Sequence, residues 1–399
     1  MALKNIRDQF PALDQKVYGK PLVYLDNAAT AQRPSSVVEL QKKLSQNANA
    51  NIHRAVHKLA SDATEAYEST REYVRQYLNA QYASEIVFTS GATASINLVA
   101  YSFGEAFVGA GDEIIVSVAE HHSNIVPWQL LCERKGAVLK VLDIEKNGLL
   151  SPDTLEKLIS ERTKIVAICH ISNVLGLVNP VRELAAVCHK HGVPVLVDGA
   201  QGIVHSKVDV QELGCDFYAF SGHKIYAATG TGVLYGKKDL LDAMPPFMGG
   251  GEMIESVSFS GTTYAKAPTK FEAGTQNFNS VPTLIPALEF SKENETDPAI
   301  TEFVYRKLTE DERITLYGTG LEFKIPLFSF AVKGAHHEDL ALIMDKMGIA
   351  LRSGQMCAEP LMDRLGVTGL LRASFAPYNT MDEASYFIEC LNKAINMLV

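Results

Sequence analysis

Val195-Leu196-Val197-Asp198-Gly199-Ala200-Gln201 and, after it, Cys215-Asp216-Phe217-Tyr218-Ala219-Phe220-Ser221-Gly222-His223-Lys224 decide the fold. Both are short apolar runs that end in polar groups, and Gly230-Thr231-Gly232-Val233-Leu234-Tyr235 follows as a third. Apolar runs of this length, bounded by glycine and polar clusters, read as buried strands. Lys224 is therefore wedged between two strands. A lysine so placed must pair with an acid or be spent as an imine, which removes its charge. Asp198 supplies an acid at the end of the upstream strand. A lysine for an aldehyde and an acid for a pyridinium nitrogen are what pyridoxal chemistry needs, so pyridoxal 5'-phosphate is the expected cofactor.

The same pattern extends upstream. Glu85-Ile86-Val87-Phe88-Thr89 leads into Ser90-Gly91-Ala92-Thr93, Asp112-Glu113-Ile114-Ile115-Val116-Ser117 leads to Glu120-His121-His122, and Lys164-Ile165-Val166-Ala167-Ile168 leads to Ser172-Asn173. Each polar cluster follows the carboxyl end of a strand, the place where open α/β sheets bind ligands. The expected fold class is α/β, a mostly parallel central sheet in a large domain with a smaller α+β C-terminal domain. Residues 21–285 are expected to form the large cofactor-binding domain. Residues 1–20 and 286–399 are expected to form the small one. Helices are expected over residues 35–78 around a polar stretch from Asn47 to His57, and Val281–Glu293 reads as a helix interrupted by Pro286. Pro245-Pro246 and Gly249-Gly250-Gly251 mark a loop.

Composition excludes several classes. A net charge of −9 leaves no basic footprint for nucleic acid. No apolar run approaches a membrane span, and Met1-Ala2-Leu3-Lys4-Asn5-Ile6-Arg7-Asp8 lacks the apolar centre of a signal peptide. Six cysteines without Cys-x-x-Cys spacing suit reduced thiols in the cytoplasm.

Further residues have a functional and a bland reading. Ala92 and Thr93 stand where a strand gives way to a helix, either a phosphate cradle or a simple cap. His121 either stacks on a cofactor ring or is a hydrogen-bonded loop residue. Cys188-His189-Lys190-His191 reads as an exposed helix end, and no metal site is expected. Arg372, in the apolar Leu371-Arg372-Ala373-Ser374-Phe375, either forks a substrate carboxylate or pairs with an internal acid. Cys357 lies in a loop bracketed by Gly354 and Pro360, so its thiol is expected to be accessible.

Taken together, Tyr24-Leu25-Asp26-Asn27-Ala28-Ala29, His53-Arg54-Ala55-Val56-His57, Glu120 to Trp128, Ser172-Asn173-Val174-Leu175-Gly176, Val197 to Gln201, Ser221 to Lys224, Phe271-Glu272-Ala273-Gly274-Thr275 and the Cys357 loop resemble the SUF-type (group II) cysteine desulfurases. These belong to the class V aminotransferase family of fold-type I pyridoxal phosphate enzymes, and the resemblance covers nearly the whole chain. It implies that Lys224 holds the cofactor, Asp198 keeps the ring nitrogen protonated, Gln201 bonds the phenolic oxygen and His121 stacks on the ring. Thr93, with the Ala92 backbone, Ser221 and His223 would bind phosphate, joined by Thr275 from the other subunit of a homodimer. Arg372 and Asn173 would hold the carboxylate of L-cysteine near Ala28, with Arg54 and Arg352 lining the entrance. Cys357 would take the sulfur as a persulfide, releasing alanine and passing sulfur on for iron–sulfur cluster assembly.

The chain departs from that pattern in places. Gln355-Met356 stand where two histidines are common, Ala92 and Ala94 replace Thr and Glu, and Ala227-Ala228 replace Gly-Pro. Glu338 stands where relatives served by a zinc-bearing acceptor have histidine, which favours a SufE-type acceptor slightly. Selenocysteine lyase (L-selenocysteine as substrate), another β-lyase, an aminotransferase or a non-catalytic scaffold are the alternatives. Dependence on Cys357 separates the first, a keto acid product the aminotransferase, and a colourless protein the scaffold.

Overall fold

In the computed structural model the described residues are 6–399; Met1 to Asn5 of the N-terminal stretch read above, and of the small domain as expected from sequence, lie outside them. Seven strands build the large sheet: β1 (Ile86–Thr89), β2 (Glu113–Ser117), β3 (Val138–Leu142), β4 (Thr163–Cys169), β5 (Val195–Asp198), β6 (Phe217–Ser221) and β7 (Gly232–Gly236). Their order is β1-β7-β6-β5-β4-β2-β3. Only β7 runs against its neighbours β1 and β6; every other pairing is parallel.

Alternation explains why the central strands are apolar throughout. Val166, Ile168, Val195, Val197, Tyr218 and Phe220 enter one hydrophobic core, while Ile165, Ala167, Leu196, Phe217 and Ala219 enter another on the opposite face. Successive side chains point to opposite sides, so a sheet covered on both faces needs apolar residues at every position. The edge strand β3 escapes this rule. Its Val138 and Val141 are exposed, and its sequence carries no matching signal.

Helices α1 (Ser35–Asn47) and α2 (Lys58–Tyr77) flank the polar stretch, and α3 (Ala92–Phe107) and α4 (Val126–Lys135) follow β1 and β2. Helix α5 begins at Leu284 and runs to Glu293, after a 3-10 turn at Val281–Thr283. Pro286 thus lies in its first turn, where backbone N–H groups have no intrahelical acceptor. The proline does not interrupt the helix, contrary to the sequence expectation. Beyond Pro245-Pro246 the expected loop contains a hairpin, β8 (Ile254–Ser258) with β9 (Gly261–Tyr264). Its residues are almost all exposed, so no buried face marks it in the sequence.

A second, antiparallel sheet has the order β10 (Ile314–Tyr317), β11 (Leu327–Val332), β13 (Leu370–Ser374), β12 (Arg352–Gly354). Helices α6 (Pro298–Glu310), α7 (His337–Lys346) and α8 (Met381–Leu398) cover one face and share a core with Phe328, Phe330, Leu371 and Ala373. Arg372, between Leu371 and Ala373, points to the other face, toward the large sheet. The N-terminal segment spans both units: Phe10 packs against Tyr226, Phe290 and Tyr378, and Arg7 pairs with Glu383 of α8.

Candidate active site

The strand ends open on one cavity of about 260 Å³, at the lower end of what small-molecule sites occupy. Ala28, Ala92, Thr93, His121, Asn173 and Asp198 line it, together with Ser221, His223, Lys224, Arg352, Cys357 and Arg372. Segments from Ala28 to Arg372 thus converge on one space.

Lys224 ends the 3-10 turn Gly222–Lys224 that follows β6. Among the described residues its amine makes no hydrogen bond or ion pair. Burial pulls it below the ordinary lysine range, with the Asp198 charge opposing. Burial likewise raises Asp198, against Lys224 and the Ala200 amide, which donates to its Oδ1 at 2.9 Å. A half-buried amine without a hydrogen-bond partner and a buried carboxyl beside it are the donor set that a pyridoxal aldehyde and ring nitrogen require. Their mutual attraction and the Ala200 amide offset only part of the desolvation cost of burying both groups.

The anion end is built at the start of α3. Gly232 makes this possible: a Cβ there would meet Gly91 Cα at 2.3 Å, so only glycine lets β7 pass so close beside the turn. The Ala92 amide donates to Ser221 Oγ at 2.8 Å, and the Thr93 hydroxyl lies 2.7 Å from that of Ser123. His223 Nδ1 lies 3.2 Å from the Thr30 hydroxyl, and burial lowers its pKa to about 4. Neutral donors, backbone N–H groups and the positive end of a long helix suit a phosphate. The residues present therefore fit the whole of pyridoxal phosphate.

His121 caps the turn His122–Asn124, its Nδ1 accepting from the Ser123 amide at 3.1 Å. Burial first, then Lys224, His122 and Arg372, lowers its pKa to about 4, so the ring is neutral near pH 7. Beneath it, fully buried Glu120 accepts from Asn124 at 2.7 Å and from the Cys169 amide at 2.8 Å, and bonds to Ser117. This network fixes the turn from below.

Cys357 is the exposed cysteine of the six; Cys169, Cys188, Cys215 and Cys390 are buried and Cys132 is partly so. Met356 and Cys357 both have positive φ, 56° and 55°, a region costly for residues with a side chain. Two hydrogen bonds hold the bend. Asn173 Nδ2 donates to the Met356 carbonyl at 2.9 Å, and the His122 amide donates to the Cys357 carbonyl at 2.8 Å.

Arg372 is buried on β13. Its guanidinium donates to the Asn173 carbonyl at 2.9 Å and to Asp26 Oδ1 at 3.2 Å, and its Nε has no partner. Arg352 on β12 stands opposite Arg372 in register, its Nη1 4.0 Å from Asp26 Oδ2.

Three expected residues stand apart from the cavity. Gln201 is buried with its amide donating to the Ala28 carbonyl at 2.8 Å. Arg54 is exposed and pairs with Glu252 at 2.9 Å, so within this chain it does not line the entrance. Thr275 is exposed, outside the cavity of its own chain. The loop Phe271–Thr275 is anchored through Glu272, which takes a bidentate ion pair from buried Arg71 at 2.7 and 2.9 Å. In the Cys188 cluster, His189 pairs with Asp216 at 2.7 Å and His191 with Glu156 at 2.8 Å. Among the described residues, no group of three His, Cys, Asp or Glu could hold a metal, and no helix is long and apolar enough to cross a membrane. Sequence reasoning gave Asp26 and Ser123 no role of their own and read Met356 only as a departure from the family pattern. A lone acid two residues past Tyr24, a serine after a histidine pair and a methionine carry no pattern of their own.

The aminotransferase class-V model matches residues 23–387. A probable cysteine desulfurase of Halalkalibacterium halodurans is 46% identical over 98% of both chains, and a cysteine desulfurase of Cronobacter sakazakii is 45% identical over 100% of this chain and 99% of its own. Among solved structures, the cysteine desulfurase CsdA of Escherichia coli superposes with a TM-score of 0.89 at 42% identity over 98% of both chains. A cysteine desulfurase of Thermococcus onnurineus superposes at 0.91, with 35% identity over the full length of both.

Proposed function

Since the chain belongs to the class-V aminotransferase family, among its pyridoxal-phosphate-dependent cysteine desulfurases, we propose that Lys224, Arg372 and Cys357 divide the conversion of L-cysteine to L-alanine between them. Pyridoxal phosphate, when bound, supplies an electron sink for the carbon that carries the substrate amine. Asp198 would face its ring nitrogen, His121 its ring, and Ala92, Thr93, Ser221 and His223 its phosphate. Arg372 holds the substrate carboxylate through its guanidinium, Asn173 flanks that grip, and Arg352 closes the mouth. Lys224, already pulled toward its neutral form by burial, takes the Cα proton. The Cys357 thiolate attacks the substrate sulfur: a sulfur–sulfur bond forms, the Cβ–S bond breaks with its electron pair left on carbon, and one proton at Cβ and one returned to Cα complete alanine. The observation that carries this reading is the convergence of Lys224, Asp198, Arg372 and an exposed Cys357 on one cavity.

The persulfide would feed iron–sulfur cluster assembly through an acceptor protein, of SufE type in this reading, in a SUF system. Glu338 at the start of α7 supports that choice. A homodimer would bring Thr275 of one subunit to the phosphate of the other; its exposure on a loop anchored by Arg71 supports this. The large unit would comprise residues 21–285 and the small one residues 1–20 and 286–399. Six unpaired cysteines suit the cytoplasm. Incubation of the purified protein with L-cysteine and a reductant should release alanine, and Cys357→Ala should release almost none. A yellow, cofactor-loaded parent that releases no alanine would overturn the reading.

A further inference from the structure

Asp26 has no place in the account so far, yet it touches both arginines of the mouth. Its Oδ1 accepts from Arg372 at 3.2 Å and its Oδ2 lies 4.0 Å from Arg352. The backbone fixes it there. Asp26 bridges Ser374 on β13, the strand that carries Arg372, and the Ser374 amide donates to the Leu25 carbonyl at 2.7 Å. Asn27 donates to the Ser374 carbonyl at 2.6 Å. These contacts hold the Asp26 backbone beside β13, so its carboxylate is presented to Arg372.

The guanidinium of Arg372 is divided three ways. One nitrogen serves the Asn173 carbonyl, one serves Asp26, and Nε is buried with no partner. A guanidinium normally grips a carboxylate through two parallel N–H groups. Here a resident carboxylate already holds one nitrogen and offsets the buried positive charge. An incoming carboxylate finds a partly neutralised cation whose nitrogens are engaged or shielded, and lies near a second negative charge.

We infer that Asp26 is a positioning residue that limits how tightly this site grips a ligand carboxylate, by engaging one nitrogen of Arg372 and offsetting its charge. This rests on the proposal that Arg372 binds the substrate carboxylate. The consequence has a definite sign. Without Asp26 the buried cation is uncompensated, and a ligand carboxylate then relieves a cost that Asp26 relieves in the parent. The ligand should bind more tightly, not less. A weaker grip in the parent favours departure of the amino acid product, whose carboxylate is the same as that of the substrate.

Propionate carries the carboxylate and lacks the amine, so it probes Arg372 without the chemistry; propionamide is its uncharged control. On the holoenzyme, the dissociation constant of each is read from the ligand-dependent rise in melting temperature and from competition with L-cysteine. Asp26→Asn should melt lower than the parent without ligand and bind propionate about tenfold more tightly, with propionamide unchanged. Asp26→Glu, which restores the charge, should bring the propionate affinity back toward the parent. If Asp26→Asn does not fold, Asp26→Ser carries the same test. Equal or weaker propionate binding in the charge-removing variant would overturn the inference, as would an equal gain for propionamide. A parent that makes no alanine from L-cysteine would instead overturn the proposed function, so the two failures are distinguishable.

Discussion

The backbone amide of His122 donates to the carbonyl of Cys357 at 2.8 Å, so the turn that presents His121 and the loop that presents the thiol are one unit. Asn173 completes it, donating to the Met356 carbonyl while its own carbonyl accepts from Arg372. Groups assigned to the cofactor ring, the carboxylate and the sulfur are thereby tied to one another by one main-chain and two side-chain hydrogen bonds. Preorganisation of this kind holds a reacting pair at a productive distance.

Asn173→Ala should release the Met356 bend and trim one lining side chain, while leaving the residues placed around the cofactor ring and phosphate in position. The rate of alanine formation should fall about tenfold or more, the order expected when a reacting group loses its fixed position. The visible spectrum of the bound cofactor should stay unchanged. Stopped-flow absorbance alongside an alanine assay separates the two. A proportionate loss of cofactor would contradict this role.

Accessibility singles out Cys357. A mild thiol reagent such as a nitrobenzoate disulfide should label one cysteine rapidly in the native protein, with the buried ones following only on denaturation. Cys357→Ala should abolish the rapid phase, and peptide mapping should find no other site in it.

Arg71 and Glu272 form a bidentate pair that is almost wholly buried, and Glu272 also accepts from the Phe88 amide and the Tyr67 hydroxyl. Glu272→Ala leaves Arg71 with the half-exposed Glu68 and the Ile86 carbonyl, strands the buried Phe88 amide, and should lower stability by about 1–3 kcal/mol. Denaturant unfolding of the variant measures it, and a loss below about 1 kcal/mol would contradict the pair's importance.

His170 lies under the site, bonded to Tyr218, and burial lowers its pKa to about 4 against about 6.5 in an unfolded chain. Between those values the unfolded chain binds the extra proton. Its contribution to stability is present above pH 6.5 and lost as the pH falls toward 4. His170→Gln removes that contribution, so from pH 7.5 to pH 5 the variant should lose on the order of 1–2 kcal/mol less than the parent. Urea unfolding at the two pH values checks it. Equal losses would contradict a neutral, buried His170.

What the sequence made legible follows from periodicity. β4, β5 and β6 are apolar at every position because both faces are covered, and the polar residues after them fall at strand ends. That logic places Asn173, Asp198 and Lys224 beside one another without any contact being known. It fails where burial is one-sided or absent, as at β3 and the exposed hairpin β8–β9. It fails again where a residue acts through a distant partner. Asp26 meets Arg372 across most of the chain, and the positive φ of Met356 depends on an amide from Asn173. Arg54, in a suggestive segment, is exposed and pairs with Glu252, a contact that no sequence pattern marks.

The central claim is that sulfur leaves the substrate for Cys357. The measurement that tests it most directly is the mass of the Cys357 peptide after a brief exposure of the holoenzyme to L-cysteine without reductant. The account predicts a gain of one sulfur atom on that peptide, reversed by a thiol reductant, with no comparable gain on the five other cysteines. An unmodified Cys357 in a protein that releases alanine would contradict it.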